Sequence, residues 1–200
     1  MPQTLSNPIV LGASAIPFRL PEPLTGKEVA LEDFAGAKAV LVAFISNVCP
    51  FVKLIDEAFN QFAREYAERG LKIVAINSNA EEIKEGEGAA AVAETARSLG
   101  YAFPYLRDES QKVAEAYDAT CTPDFFLYDA EGKLYYHGQF DDARPKNGIA
   151  PTGASLRAAV DALLAGQSAP AKQTQSIGCN IKWRDGDDHG VRQASQAVAA

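Results

Sequence analysis

A buried-strand pattern that runs into Cys-Pro and then into helical periodicity constrains this chain more than any other feature. Residues 39–45 form a continuous apolar run within the predicted strand 39–46, which is typical of a strand covered on both faces. Pro50 suits the first position of a helix, because its ring fixes φ and its missing N–H has no intrahelical partner there. The pattern predicts a strand, a tight turn that ends at Cys49, and a helix over 50–69.

The position of Cys49 predicts chemistry at its sulfur. Unpaired N–H groups and the positive end of the helix dipole favour a thiolate at a helix N-terminus, and the thiolate is the nucleophilic form of cysteine. We interpret Cys49 as a redox or peroxide-reacting nucleophile, whose sulfur must be ionised and within reach of an oxidant or a disulfide. The alternative is a small buried apolar residue, as many free cysteines are.

Strand and helix signals alternate along the rest of the chain. They predict a hairpin over 17–31, strands at 71–76, 125–128 and 134–137, and helices at 88–99, 110–117 and 156–164. This order predicts an α/β protein with a central mixed β-sheet, helices on both faces and an N-terminal β-hairpin.

The composition fits one domain with a tail. A chain of 200 residues with 47% hydrophobic content can bury a sizeable core, and we place the domain at 1–165. Residues 166–200 form a C-terminal tail that begins with a Gly/Ser/Pro-containing linker. We expect 177–183 to dock on the domain and 191–200 to be frayed or weakly helical.

Charge and cysteine content exclude several classes. A net charge of −7 argues against nucleic acid or an anionic membrane as a partner, and three cysteines argue against a structural disulfide framework. The N-terminus lacks the basic and apolar segments of a signal peptide, so we expect a cytoplasmic protein. His137 and His189 have no cysteine at a ligand spacing, so we expect no metal site and no cofactor.

Four strings carry a resemblance to a known family. They are Ser46–Pro50 in its Ser-x-x-Cys-Pro context, Phe103–Asp108, Thr122–Asp129 and Ser176–Trp183. Together they resemble the thioredoxin-fold, peroxiredoxin-like family of the alkyl hydroperoxide reductase and thiol-specific antioxidant superfamily. The resemblance implies a thioredoxin-like fold, reduction of hydroperoxides through Cys49, and a cis proline at Pro123 beside the attacking cysteine.

The resemblance also suggests which residues form the site. The candidate catalytic residues are Cys49, Cys121, Ser46 and Pro123, the candidate substrate-binding residues are Thr122, Asn47, Pro50 and Arg144, and Cys179 is a candidate resolving thiol. A thioredoxin-type dithiol is excluded, because Val52 stands where its second cysteine would be. Cys121 is the preferred partner of Cys49 because it lies close to Pro123, and Cys179 is the alternative if the tail folds back. Ser46 either binds the thiolate or peroxide, or it caps the helix or ends the strand.

The chain departs from the family pattern at two places. Val42 stands where typical members have a proline, and Asp124 begins a strand near whose start they carry an arginine that would polarise the peroxide. Arg144 is the nearest substitute, although pairing with Asp141 or Asp142 is the alternative role for it.

These departures keep three functions open. Besides hydroperoxide reduction, they are thiol-disulfide reduction or isomerisation and a non-catalytic binding or redox-sensor role. The expected partners are a small hydroperoxide or a protein disulfide and a thioredoxin- or glutathione-type reductant, with a homodimer left open.

Two further clusters lie near the second predicted strand. Residues 77–79 follow that strand, at the edge where open sheets place functional loops, so they are candidates for lining the site. The acidic residues at 81, 82, 85 and 87 are interpreted as a solvated loop and helix start.

Overall fold

A five-stranded mixed sheet forms the centre of the protein, seen in a computed structural model that describes residues 3–184, residue 186 and residues 192–193. Its strand order is β6-β5-β4-β8-β9. The strands are β4 Ala39–Phe44, β5 Leu71–Asn77, β6 Tyr105–Arg107, β8 Asp124–Asp129 and β9 Leu134–Gly138. β4 pairs parallel with β5 and antiparallel with β8, so the predicted mixed sheet is confirmed.

β4 is buried because both faces of the sheet are covered. Leu41 and Ala43 point into one apolar cluster, and Val42 and Phe44 point into the other. All four residues are at most 1% exposed. Alternate side chains of a strand point to opposite faces, so a strand in this position must be apolar throughout.

Helices cover both faces of the sheet. α1 Pro50–Ala67, α2 Ala89–Leu99 and α4 Ala154–Leu164 pack on one face, and α3 Lys112–Ala116 packs on the other. Phe59 of α1 lies at the centre of the first cluster, where it contacts the rings of Phe103, Phe125 and Phe140. α1 begins at Pro50 as predicted and therefore starts at the carboxyl edge of β4.

The predicted N-terminal hairpin is present. β2 Arg19–Glu22 and β3 Lys27–Ala30 pair antiparallel, and a short 3-10 helix, Leu31–Phe34, follows. Pro21 lies within β2 and does not end it. β2 and β3 form a two-stranded sheet, so the other edge of β2 is unpaired and tolerates a residue without an N–H.

A second small sheet ties the chain ends to the site. Its order is β11-β1-β10-β7, with β1 Gln3–Leu5, β7 Cys121–Thr122, β10 Ile177–Asn180 and β11 Arg192–Gln193. β10 lies between β1 and β7 and pairs antiparallel with both. This part of the 166–200 segment therefore packs on the domain, and the domain boundary at 165 stays a prediction.

β10 is fastened at both ends. Before it, Ser6 and Ser176 exchange two hydrogen bonds of 2.9 and 3.1 Å, and the Ser176 hydroxyl donates to the carbonyl of Gly138. After it, the Lys182 N–H donates to Asn79 Oδ1 at 2.8 Å, and the Lys182 carbonyl accepts from Gln111. The strand is thus held in place by contacts with the rest of the domain.

The predicted frayed or weakly helical segment 191–200 lies mostly outside the described residues. Within it, Arg192 and Gln193 are extended and pair with β1, which differs from the expectation. In the described part of the chain, we find no helix with the length and apolar character needed to cross a bilayer.

Candidate active site

Four segments meet around Cys49. They are the turn between β4 and α1, the loop between β5 and α2, β7 with the following Pro123, and β10. β4 and β5 are parallel neighbours, so the segments that follow them emerge at the same edge of the sheet. The topology therefore brings the turn of Cys49 and the loop after β5 together, and β10 closes over them.

The sulfur of Cys49 lies against Cys179. The two Sγ atoms are 3.0 Å apart, and the carbonyl oxygen of Thr122 is 3.2 Å from the Cys49 sulfur. A disulfide bond is about 2.05 Å long, so a shift of about 1 Å would bring the sulfurs to bonding distance. All three cysteines are free thiols in this structure.

The surroundings of Cys49 favour its thiolate. Together they lower the pKa of Cys49 from 9.0 to about 6. A hydrogen bond from the Cys179 thiol makes the largest contribution, and burial opposes it. The N–H of Val52, in the first turn of α1, and the side chain of Thr122 make smaller contributions to the same decrease. Cys179 changes in the opposite sense, because its proton is held by Cys49 and its pKa is raised. The helix start alone therefore does not account for the thiolate.

Access to the sulfur is restricted. Cys49 is 1% exposed and Cys179 is 5% exposed, so the expectation of an open thiol is wrong for this conformation. The surroundings are nevertheless polar. A small pocket beside the sulfurs is lined by Ser46, Asn79, Lys84, Glu87, Asn180 and Lys182, among others.

The structure brings Cys179, and not the preferred Cys121, into contact with Cys49. Cys179 is opposite Thr122 in the β7–β10 pair, whereas Cys121 is opposite Asn180. Side chains alternate between the faces of a strand, so Cys121 points away from the face that Cys179 and Thr122 share. Its sulfur lies 3.9 Å from the carbonyl oxygen of Pro123, and complete burial raises its pKa.

Ser46 stabilises the turn between β4 and α1, because its hydroxyl forms hydrogen bonds with backbone N–H groups and with a carboxylate. Its hydroxyl donates to Glu87, and its oxygen accepts the N–H of Cys49 at 3.1 Å and that of Val48 at 3.3 Å. The single hydroxyl proton is therefore not directed at the Cys49 sulfur. Both N–H groups lie in the turn before Pro50, so Ser46 fixes the turn at the end of the strand and does not cap the first turn of α1.

The interpretation of residues 81–87 as a solvated acidic cluster is wrong for Glu87. Glu81, Glu82 and Glu85 are exposed, but Glu87 is 0% exposed. Besides Ser46, its carboxylate accepts hydrogen bonds from the N–H of Asn47 at 3.0 Å and from the amides of Asn77 and Asn79 at 2.7 and 3.2 Å. Residue type and spacing gave no signal that distinguishes Glu87 from its exposed neighbours.

The side chain of Asn47 joins the turn to the rest of the domain. Its amide donates to the carbonyl of Gly86 at 2.8 Å, and its Oδ1 accepts from the hydroxyl of Tyr105 at 3.0 Å. Asn77 and Asn79, which were candidates for lining the site, lie in the same network, and Asn79 also lines the pocket. The candidate roles of Asn47 and Pro50 in binding substrate stay predictions.

The peptide bond between Thr122 and Pro123 is cis, as the resemblance implied. Arg144 is not placed to replace the missing arginine. Its guanidinium donates to the carbonyls of Asp141 and Ala143 at 2.6 and 2.8 Å and to the side chain of Gln139. Arg144 is thus hydrogen-bonded within its own loop. The charges of Asp142 and Asp141 attract its guanidinium without a direct hydrogen bond, and its charge influences Cys121.

A cation other than Arg144 lies near the Cys49–Cys179 pair. Lys182 follows β10, lines the pocket and donates to the carbonyl and the side-chain oxygen of Asn180 at 2.6 and 2.7 Å. Burial lowers its pKa, whereas the charges of Cys179, Cys49 and Glu87 raise it. The tail therefore supplies both a thiol and a positive charge. In the described part of the chain, no group of three His, Cys, Asp or Glu side chains is placed to hold a metal ion.

A cysteine with a lowered pKa, a second thiol in contact with it and a cis proline, carried by a mixed sheet of this topology, define a thiol oxidoreductase of thioredoxin-like fold. A match to a family model shows which family the chain belongs to. Residues 11–137 match the AhpC/TSA family, and the chain belongs to that family. The matched region contains Cys49 and Cys121 but ends before Cys179.

Similar proteins agree with this class. The thiol-disulfide oxidoreductase ResA of Bacillus subtilis is 31% identical over 138 residues, covering 66% of this chain and 72% of ResA. The ResA of Bacillus thuringiensis is 29% identical, and the chain spans 60% of its length. A crystal structure of a hypothetical protein from Sinorhizobium meliloti is 56% identical, with a TM-score of 0.88 over 90% of this chain and 98% of that one.

Proposed function

We propose that this protein is a thiol-disulfide oxidoreductase in which Cys49 is the nucleophile and Cys179 the resolving thiol. The observation that carries the proposal is the 3.0 Å separation of the two sulfurs. The lowered pKa of Cys49 supplies the attacking thiolate near neutral pH, and the raised pKa of Cys179 keeps the second thiol protonated until it is needed. The similarity to ResA supports disulfides as the substrate class.

The reaction has two exchange steps. The Cys49 thiolate attacks one sulfur of a substrate disulfide, forms a mixed disulfide and releases the other substrate sulfur as a thiolate. Cys179 then gives its proton to the substrate thiolate released in the first step, attacks the Cys49 sulfur and expels the remaining substrate sulfur as a thiolate, which takes a proton from solvent. The enzyme is left with a Cys49–Cys179 disulfide. The substrate gains two electrons, and a thioredoxin- or glutathione-type dithiol or thiol pair returns them to the enzyme.

Hydroperoxide reduction is the second candidate, and the burial of Cys49 favours it. A small peroxide needs less room beside a sulfur that is 1% exposed than a protein disulfide does. The Cys49 thiolate would attack the O–O bond, release an alkoxide or hydroxide that takes up a proton, and become a sulfenic acid. Condensation with the Cys179 thiol then gives the same disulfide and one water. Membership of the AhpC/TSA family supports this chemistry.

Mass mapping of the oxidised protein tests the thiol pair. The reduced protein is mixed with one equivalent of glutathione disulfide or of hydrogen peroxide, free thiols are blocked, and the cysteine peptides are identified. We expect a Cys49–Cys179 crosslink with either oxidant. A Cys49–Cys121 crosslink, or a protein that keeps three free thiols, would overturn the assignment.

Variants separate the roles of the three thiols. Cys179→Ser should trap the mixed disulfide of Cys49 with glutathione, because the resolving step is lost. Cys121→Ser should still form the Cys49–Cys179 crosslink. Initial rates with the two oxidants then decide the reaction: a faster reaction of Cys49 with glutathione disulfide supports thiol-disulfide exchange, and a faster reaction with hydrogen peroxide supports the second candidate.

A further inference from the structure

We propose that Glu87 is the positioning residue of the Cys49 site and acts through the hydroxyl of Ser46. The proposal rests on the proposed function, because it assigns a role in presenting the Cys49 nucleophile to Cys179 and to substrate. Glu87 does not touch the sulfur. It orients the groups that fix the backbone from which the sulfur projects.

The carboxylate of Glu87 takes the proton of Ser46. A hydroxyl has one hydrogen to donate, and that of Ser46 is directed at Glu87 Oε1. The lone pairs of Ser46 are therefore left for the N–H groups of Val48 and Cys49. Glu87 Oε2 accepts the N–H of Asn47 directly at 3.0 Å. Three successive N–H groups of the turn before α1 are thus fixed by one carboxylate and one hydroxyl.

The carboxylate itself is held from the other side. The amides of Asn77 at the end of β5 and of Asn79 just beyond it donate to Glu87 at 2.7 and 3.2 Å. Asn79 also accepts the N–H of Lys182, close to Cys179 in sequence. The network therefore connects the turn that carries Cys49 with the segment that carries the second thiol. A buried carboxylate with this many donors is ordered, because each donor would otherwise be left unpaired.

Glutamine cannot replace Glu87 in this network. Both oxygens of the carboxylate face donors, so the NH₂ group of a glutamine would face at least one other donor. With the NH₂ group at the Oε1 position, Ser46 would turn its hydroxyl and weaken its bonds to the N–H groups of Val48 and Cys49. With the NH₂ group at the Oε2 position, the N–H of Asn47 would lose its acceptor. A residue that only anchored the loop would affect stability and leave the reactivity of Cys49 unchanged.

The test compares the wild type with Glu87→Gln, with Ser46→Ala and with the double variant. The matched control is Glu85→Gln, which makes the same charge change at an exposed position of the same loop. For each protein, the rate of Cys49–Cys179 disulfide formation with glutathione disulfide and with hydrogen peroxide is measured against pH. The profile gives the apparent pKa of Cys49 and the rate at the high-pH plateau.

We expect Glu87→Gln to lower the plateau rate by about tenfold or more, as for the loss of a charge-assisted hydrogen bond. Loss of the carboxylate charge by itself would favour the thiolate of Cys49 and leave the plateau unchanged, so the plateau rate is the readout of positioning. Ser46→Ala should behave alike, and the double variant should be no slower than the worse single one, because the two residues act as a unit. Glu85→Gln should match the wild type.

Several results would overturn the proposal. A wild-type profile for Glu87→Gln would do so, as would fully additive losses in the double variant. Ser46→Ala removes only a hydroxyl, so a wild-type profile for that variant decides the question even if Glu87→Gln does not fold. A wild-type protein that forms no Cys49–Cys179 disulfide refutes the proposed function, whereas a reactive wild type with an unaffected Glu87→Gln refutes only the role of Glu87.

Discussion

Cys179 is directly opposite Thr122 in the antiparallel pair of β7 and β10, and this register decides which thiol meets Cys49. Both residues contact the Cys49 sulfur: Thr122 through its carbonyl oxygen, at 3.2 Å, and Cys179 through its thiol. A slip of β10 by one residue would turn the Cys179 side chain to the other face of the sheet. The choice between the two candidate partners therefore depends on strand register.

Removing the Cys179 thiol should make Cys49 an ordinary cysteine. Cys179 makes the largest contribution to the lowered pKa of Cys49, so Cys179→Ala should raise that pKa from about 6 toward 9.0. Cys179→Ser keeps a hydroxyl donor and should give a smaller rise. Ultraviolet absorbance of the thiolate as a function of pH measures both shifts. Equal pKa values in the wild type and in Cys179→Ala would contradict the assignment.

Replacing Lys182 should weaken the thiolate without removing a thiol. The attraction between the Lys182 ammonium and the charges of Cys49 and Cys179 is lost in Lys182→Met, so the pKa of Cys49 should rise. Lys172→Met, at an exposed position of the same tail, is the control and should change nothing. The same absorbance titration applies, and indistinguishable curves for the two variants would refute this role of Lys182.

The stability of the reduced protein should rise with pH where Cys49 ionises. The pKa of Cys49 is lower in the folded state than its ordinary 9.0, so its contribution is fully present above pH 9 and lost as the pH falls to about 6. We expect a gain of about 4 kcal/mol over this interval relative to Cys49→Ser. Above pH 9 the raised pKa of Cys179 opposes this gain in stability, because the Cys179 thiol ionises only in the unfolded chain.

Urea unfolding of both proteins under reducing conditions at several pH values measures this difference. A difference between the wild type and Cys49→Ser that does not change with pH would show that Cys49 is not ionised preferentially in the folded state.

Gly178→Ala should dislodge β10 from β7. A Cβ at this position would lie 1.9 Å from the carbonyl oxygen of Thr122, a backbone atom that cannot move freely. We expect a loss of about 3 kcal/mol or more in stability, with slower formation of the Cys49–Cys179 disulfide and faster alkylation of Cys49. Gly148→Ala is the control. Its φ is +75° but nothing lies within 4 Å, so a loss of about 1 kcal/mol and normal disulfide formation are expected.

Chemical denaturation and timed alkylation with mass detection measure these effects. If Gly178→Ala crosslinks at the wild-type rate, close packing of β10 is not what keeps Cys179 in place.

The sequence predicts the framework well because its signals are local. The apolar run of β4, the Cys-Pro junction and the periodicity of α1 depend on neighbouring residues, and the structure confirms them. The short strands of the second sheet were missed. β1, β7, β10 and β11 have two to four residues each, and their pairing depends on contacts between distant parts of the chain.

The site was predicted in part for the same reason. Cys49 and the cis Pro123 follow from local strings, whereas the partner thiol depends on where the tail lies. The role of Glu87 depends on donors from two other segments, which its own neighbours in sequence do not reveal. The cytoplasmic location and a homodimer stay predictions.

The fastening of β10 by Ser176 at one end and Lys182 at the other has a consequence for how oxidation would be sensed. Because the two sulfurs are already in contact, small rotations of their side chains can bring them to bonding distance. The backbone around them then keeps its conformation. The reduced and oxidised forms would then have the same backbone conformation and differ mainly in charge and hydrogen bonding at the small polar pocket beside the sulfurs. A partner protein that distinguishes the two forms would have to do so at that pocket.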